Sequence, residues 1–140
     1  MSDDFIDSSV ILYLFDDSNS AKRATARRLL DEALLERPGS FTVSYQVVQE
    51  VLNVVIHKYR PPATEEDARL ILETILMPLC QVMPSQELYK RALDLLSRYH
   101  YRFYDSLIIA AALAAGCSRL LSEDLQDGQR IDGLTIVNPF

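Results

Sequence analysis

The chain has 140 residues, 49% of them hydrophobic, and a net charge of −6. It is long and apolar enough for one domain, 1–140, with a real core, and too apolar to be disordered. No apolar run approaches the ~20 residues that cross a bilayer, and the negative charge argues against a broad nucleic-acid-binding surface. In chain order, Phe5-Ile6 reads as a short strand ending at Asp7. Val10 to Phe15 reads as a helical turn or two. Ser20 to Leu35 reads as an amphipathic helix with Ala24, Leu29, Leu30, Ala33 and Leu34 on its apolar side. Pro38-Gly39 ends it. Phe41-Thr42-Val43 is a second strand. Ser44 then caps a helix reaching about Tyr59, with Val47, Val48, Val51, Leu52 and Val55 as its stripe.

Pro61-Pro62 stops that helix. Thr64 and Asp67 form a capping box with Asp in place of Glu or Gln. The helix they open has a wide apolar face of Ala68, Leu70, Ile71, Leu72, Ile75 and Leu76. Cys80 to Met83 is a third strand, and Ser85 caps a helix to about Tyr99. Another helix runs from Tyr104 to Ala115 and closes at Gly116. Arg119-Leu120-Leu121 and Thr135-Ile136-Val137 are the fourth and fifth strands. Strands alternating with helices predict an α/β fold with a central parallel sheet of about five strands, covered on both faces. Functional sites in such folds gather beyond the carboxyl ends of the strands.

The acidic Met-Ser-Asp-Asp start lacks the basic region of a signal peptide. Cys80 and Cys117 have no CxxC or His-rich neighbourhood, which predicts two free, buried thiols in a cytoplasmic protein. His57 and His100 lie far from both cysteines, so zinc ligation is not expected. No Ser-His-Asp, Cys-His or P-loop arrangement is present.

Four acids fall where such a topology brings chain segments together. Asp7 follows the first strand and Asp124 follows the fourth by a few residues. Glu50 lies about two turns into the helix leaving the second strand. Asp105 opens the helix that feeds the fourth strand. Singly, each has a plain explanation: a cap for Asp7, a solvated stripe with Gln46, Asn53 and His57 for Glu50, a first-turn acid for Asp105, loop chemistry for Asp124. Jointly they share one edge, and clustered carboxylates repel unless a cation sits among them. Hard divalent cations take such oxygen ligands. Asp127 is a fifth candidate, and Ser9 and Ser122 are candidates to hold metal-bound waters. Lys22, Arg23, Arg27 and Arg28 in one helix, and Arg98 and Arg102 around Tyr99-His100-Tyr101, are candidates for phosphate contacts and base stacking.

Phe5-Ile6-Asp7-Ser8-Ser9-Val10-Ile11-Leu12 resembles the opening hydrophobic-Asp-Thr/Ser-Asn/Ser motif of the PIN-domain family, which includes the VapC-type ribonuclease toxins. Glu50-Val51-Leu52 resembles its second acid. Tyr104-Asp105-Ser106-Leu107-Ile108-Ile109-Ala110-Ala111-Ala112 resembles its Asp-x-x-Ile-Ala-Ala segment. Leu121-Ser122-Glu123-Asp124-Leu125-Gln126-Asp127 resembles its final acidic block. Ser9 stands where the family often carries Asn, and Gly128 where Phe often follows the last Asp. The resemblance implies a three-layer α/β/α fold and a Mg²⁺- or Mn²⁺-dependent endoribonuclease leaving 5′-phosphate and 3′-hydroxyl ends. It implies catalytic Asp7, Glu50, Asp105 and Asp124, with metal on Asp7, Asp105 and Asp124 and on Glu50 directly or through water. It also implies an antitoxin partner that places a cation among the acids, and a homodimer for which the 64–77 helix is the candidate face. The competing expectations are a non-catalytic PIN-like module binding RNA or protein, and a Mg²⁺ phosphohydrolase with Asp7 as nucleophile. The second lacks the Asp-x-Asp motif and helper lysine it needs.

Overall fold

The computed structural model describes residues 2–140. The chain opens with β1 (Asp4–Ile6), α1 (Ser8–Ile11), a 3-10 turn (Leu12–Phe15) and α2 (Ser20–Asp31), which runs into a π-type turn (Glu32–Glu36). Next come β2 (Phe41–Ser44), α3 (Tyr45–His57), α4 (Glu65–Ile71), a second π-type turn (Leu72–Leu76), α5 (Met77–Leu79) and β3 (Cys80–Val82). The last part holds α6 (Gln86–Tyr99), α7 (Phe103–Ala114), β4 (Arg119–Leu121), β5 (Arg130–Ile131) and β6 (Leu134–Val137).

The strands form one sheet in the order β3-β2-β1-β4-β6-β5. All pairings are parallel except that of β5 with β6. The sheet thus has six strands, one more than the sequence pattern suggests. β5 has only two residues, too short to show alternation. Its signal is the turn: Asp132 and Gly133 both have positive φ, 51° and 89°, the backbone a tight hairpin demands.

Every residue of β1 and β2 is buried, as expected for strands covered on both faces. Asp4 sits inside β1 because its register partner on β4 is Arg119. The guanidinium donates to both carboxylate oxygens, at 2.8 and 2.7 Å, so the charge is met across the ladder. α7 is buried at every position from Ser106 to Ala112. It is apolar all round, the mark of a helix inside the protein rather than on it. Gly116, at φ 76°, closes its C-terminus.

Local signals explain the other boundaries. Ser85 accepts from the Leu88 N–H at 3.1 Å, and the Thr64–Asp67 capping box forms. In α2 and the π-type turn that continues it, Ala26, Leu29, Leu30 and Ala33 are the buried residues. That is the i, i+3, i+4, i+7 series, and Ala24 falls off it and is exposed. Ser44 occupies the cap position of α3 without bonding to the helix.

Ile109 is fully buried in α7. Ile109→Ala is expected to lower stability by about 2–5 kcal/mol through lost packing and a residual cavity. A urea titration checks this as a fall in midpoint at unchanged slope.

Candidate active site

β1 is flanked by β2 and β4 and ends at Ile6. The next residue, Asp7, keeps the ladder one step further, donating its N–H to the Leu121 carbonyl at 2.9 Å. Its own backbone is extended, so it caps α1 and accepts from the Ser8 N–H at 2.8 Å. Oδ2 accepts from the Ser122 hydroxyl at 2.8 Å and the Ser9 hydroxyl at 3.2 Å. The side chain is only 6% exposed. Burial pushes this carboxyl up to about 6 from an ordinary 3.8. The Ser122 bond opposes the rise, Glu50 and Asp124 add to it, and the Ser9 bond opposes it weakly.

Glu50 reaches the same place from α3. Its Oε1 accepts from the Ser8 hydroxyl at 2.9 Å, and its Oε2 lies 3.4 Å from the Gln46 amide one turn earlier. Ser8 also lies 3.4 Å from Asp7 Oδ1. A hydroxyl has one proton, and the shorter distance assigns it to Glu50. Asp105 enters from the first turn of α7. Asp124 follows β4, its N–H donating to Ser122 Oγ at 3.2 Å. Burial raises the Asp124 carboxyl, and Glu123 and Asp105 raise it further. Glu50 and Asp124 thus act on Asp7, and Asp105 acts on Asp124. The four acids share one electrostatic neighbourhood at the carboxyl edge of the sheet. Among the described residues, no three His, Cys, Asp or Glu side chains close into a compact ligand group.

The PIN domain family model matches residues 5–133, a span that takes in all four acids. The chain belongs to the PIN domain family. A search of the curated proteins gives no match. Among solved structures, the chain is similar to a toxin–antitoxin complex from Klebsiella pneumoniae, with TM-score 0.69, 23% identity and 97% coverage of each chain. It is also similar to VapC20 of Mycobacterium tuberculosis, a Sarcin-Ricin loop cleaving toxin, with TM-score 0.61 and 19% identity over 84% of this chain and 86% of that one. At such identities the likeness speaks for the fold, a mostly parallel sheet flanked by helices.

The remaining candidates in this PIN domain divide by what they touch. Ser9 and Ser122 both hold Asp7. Asp127 turns the other way, accepting from the Asn138 N–H at 2.8 Å and tying down the last residues. Arg23 pairs with Asp17, and Arg98 with Asp94 and Asp132. Lys22 pairs with Glu123, which also accepts from the Tyr13 hydroxyl at 2.5 Å. The Lys22 ammonium lies over the rings of Tyr13 and Phe140, which meet edge to face. Arg102, Arg27 and Arg28 are exposed and form no ion pair among the described residues.

The sequence pattern alone does not single out three residues that shape the site. Ser8 and Gln46 orient Glu50, and only the i, i+4 spacing of Gln46 and Glu50 hints at it. Glu123 donates its N–H to Ser9 Oγ at 3.1 Å and so helps fix a hydroxyl that holds Asp7. A cleft of about 250 Å³ beside Asp124 is lined by Ser9, Tyr13, Asp16, Tyr59 and Glu123.

The displaced Asp7 carboxyl has a stability signature. Below about pH 4 it is neutral whether the chain is folded or not, and it adds no cost. As pH rises through about 6 the folded protein must carry a buried carboxylate, which costs about 3 kcal/mol. In EDTA, Asp7→Asn is expected to melt above wild type at pH 8, with the gap closing toward pH 4. Thermal melts across that range check it.

Proposed function

We propose that this PIN domain is a metal-dependent endoribonuclease that hydrolyses RNA phosphodiester bonds and acts as the toxin of a toxin–antitoxin pair. The observation that carries the reading is that buried Asp7 at the sheet edge feels the charges of Glu50 and Asp124, and Asp124 that of Asp105. A scaffold gains nothing from gathering carboxylates where their charges repel. A site for a hard cation does.

The donor set fits Mg²⁺ or Mn²⁺: hard carboxylate oxygens with hydroxyls beside them, and no thiolate or imidazole. Asp7, Asp105 and Asp124 would hold the ion, with Glu50 acting directly or through water. Such an ion, when bound, supplies Lewis-acid stabilisation of phosphate charge and a more acidic attacking water. The chain's own contribution is preorganisation. Ser122 and Ser9 hold Oδ2 of Asp7, and the Ser8 N–H holds Oδ1. Ser8 and Gln46 take one oxygen each of Glu50. These bonds fix Asp7 and Glu50 before substrate arrives, so these two acids need little reorganisation during the reaction. Arg102 is the free cation nearest Asp105 in sequence and the one we assign to the RNA backbone. Lys22, Arg23 and Arg98 reach phosphate only by giving up their acidic partners.

The partners follow from the same reading. The likeness to a chain from a toxin–antitoxin complex supports an antitoxin whose cation would enter the acid cluster. Leu70 in α4 and Met77 at the start of α5, 59% and 50% exposed, support pairing of two copies through that face. Light scattering at micromolar concentration is expected to give twice the 15.9 kDa chain mass, and Leu70→Glu to return it to one. A monomeric wild type removes the dimer. No helix among the described residues is long and apolar enough to cross a membrane.

The activity is tested on a panel of tRNA, ribosomal fragments and unstructured oligomers, with Mg²⁺, Mn²⁺ or EDTA. Cleavage is expected with metal only, and Asp105→Asn is expected to lower it roughly 100-fold or more. If folded, metal-supplied wild type cuts none of them, the assignment passes to a non-catalytic module that binds RNA or protein.

A further inference from the structure

The chain has twelve Tyr and Phe side chains and no Trp. Most pack in or against the core. Tyr104, Tyr89 and Phe103 do not: they are 66%, 39% and 37% exposed. Exposed rings scattered singly mean little, but these gather. Phe103 and Tyr104 meet edge to face at 5.4 Å. The Tyr89 and Tyr45 hydroxyls lie 3.2 Å apart. The two pairs are tied together by Gln46, the residue after Tyr45, whose amide donates to the Tyr104 carbonyl at 3.1 Å. By contrast Tyr99 and Tyr101, the pair the sequence pattern offers for stacking, stack on each other half-buried.

This group is fixed to the acid cluster. Tyr104 directly precedes Asp105 at the start of α7. The Gln46 amide donates to the Tyr104 carbonyl at 3.1 Å and reaches Glu50 at 3.4 Å. One side chain thus spans the aromatic surface and a candidate catalytic acid. The exposed cations next in sequence, Arg102 beside Phe103 and Lys90 beside Tyr89, form no ion pair among the described residues.

We propose that Tyr104 and Phe103, backed by Tyr45 and Tyr89, are a stacking platform for the bases of single-stranded RNA next to the acid cluster. The proposal deepens the nuclease reading and rests on it for the identity of the ligand. It also answers a difficulty in that reading. A chain of net charge −6 with an acidic site gains little from general attraction to phosphate. Stacking on a ring needs no net charge and accepts any base. A platform locked to Asp105 would set a strand's position relative to the acids, while Arg102 and Lys90 meet its backbone.

The test uses the absence of tryptophan. Tyr104→Trp keeps a flat ring and adds the only indole in the chain. Titrated with single-stranded oligo(A) or oligo(U) RNA in EDTA, its fluorescence is expected to quench to saturation with either. Tyr104→Ala is expected to weaken binding of the same oligomers about 5- to 100-fold, and to raise KM for a cleavable RNA more than it lowers kcat. Tyr104→Phe should restore both. An unchanged affinity in Tyr104→Ala overturns the platform. So does a halved mass of Tyr104→Ala in light scattering, which would assign these rings to a contact between copies. Because binding is read in EDTA, a protein that binds RNA through Tyr104 but cuts nothing sinks the nuclease and leaves the platform standing.

Discussion

Asp7 sits where β1, flanked by β2 and β4, runs out, and every other part of the site is arranged around its carboxyl group. Burial removes water from it, and Glu50 and Asp124 repel its charge. Left alone, such a group would simply stay protonated. It is instead surrounded by donors that lower the cost of charge: two serine hydroxyls and the first N–H of α1. The donors come from two different constraints. Ser8 and Ser9 follow from the turn of chain after β1. Ser122 follows from the parallel pairing of β1 with β4. The sheet register therefore decides the electrostatics of the site.

That dependence explains what the sequence could disclose. An apolar strand followed at once by an acid is a local pattern, so Asp7 and Asp124 are legible, and the alternation of strands and helices puts them at one edge. Asp105 is legible because a uniformly apolar helix has few reasons to begin with an exposed-type residue other than its cap. Glu50 is the least visible of the four, since it lies on a polar line that serves equally well as a solvated face.

What stays hidden depends on pairing between distant segments. Glu123 lies between two legible residues, yet its role depends on Lys22, 101 positions away, and Tyr13, 110 away. The basic residues mislead for the same reason. Lys22, Arg23 and Arg98 read as free charge in the sequence, and folding gives each an acid. Composition counts charges but not their partners. β5 escapes because two residues carry no period.

The order β3-β2-β1-β4-β6-β5 also has a consequence for synthesis. Asp7, Glu50 and Asp105 leave the ribosome first, and β1, β2 and β3 can pair in the order in which they emerge. Ser122 and Asp124 belong to the stretch after β4, and β4 takes its place between β1 and β6, the last strand made. A nascent chain thus carries Asp7 and Glu50 through about half of its translation, and Asp105 from its last quarter on, before the hydroxyl and the final carboxylate that complete them are made. The acid cluster cannot assemble vectorially. It closes only when the last quarter of the chain docks, so a truncated or stalled product would lack the complete cluster.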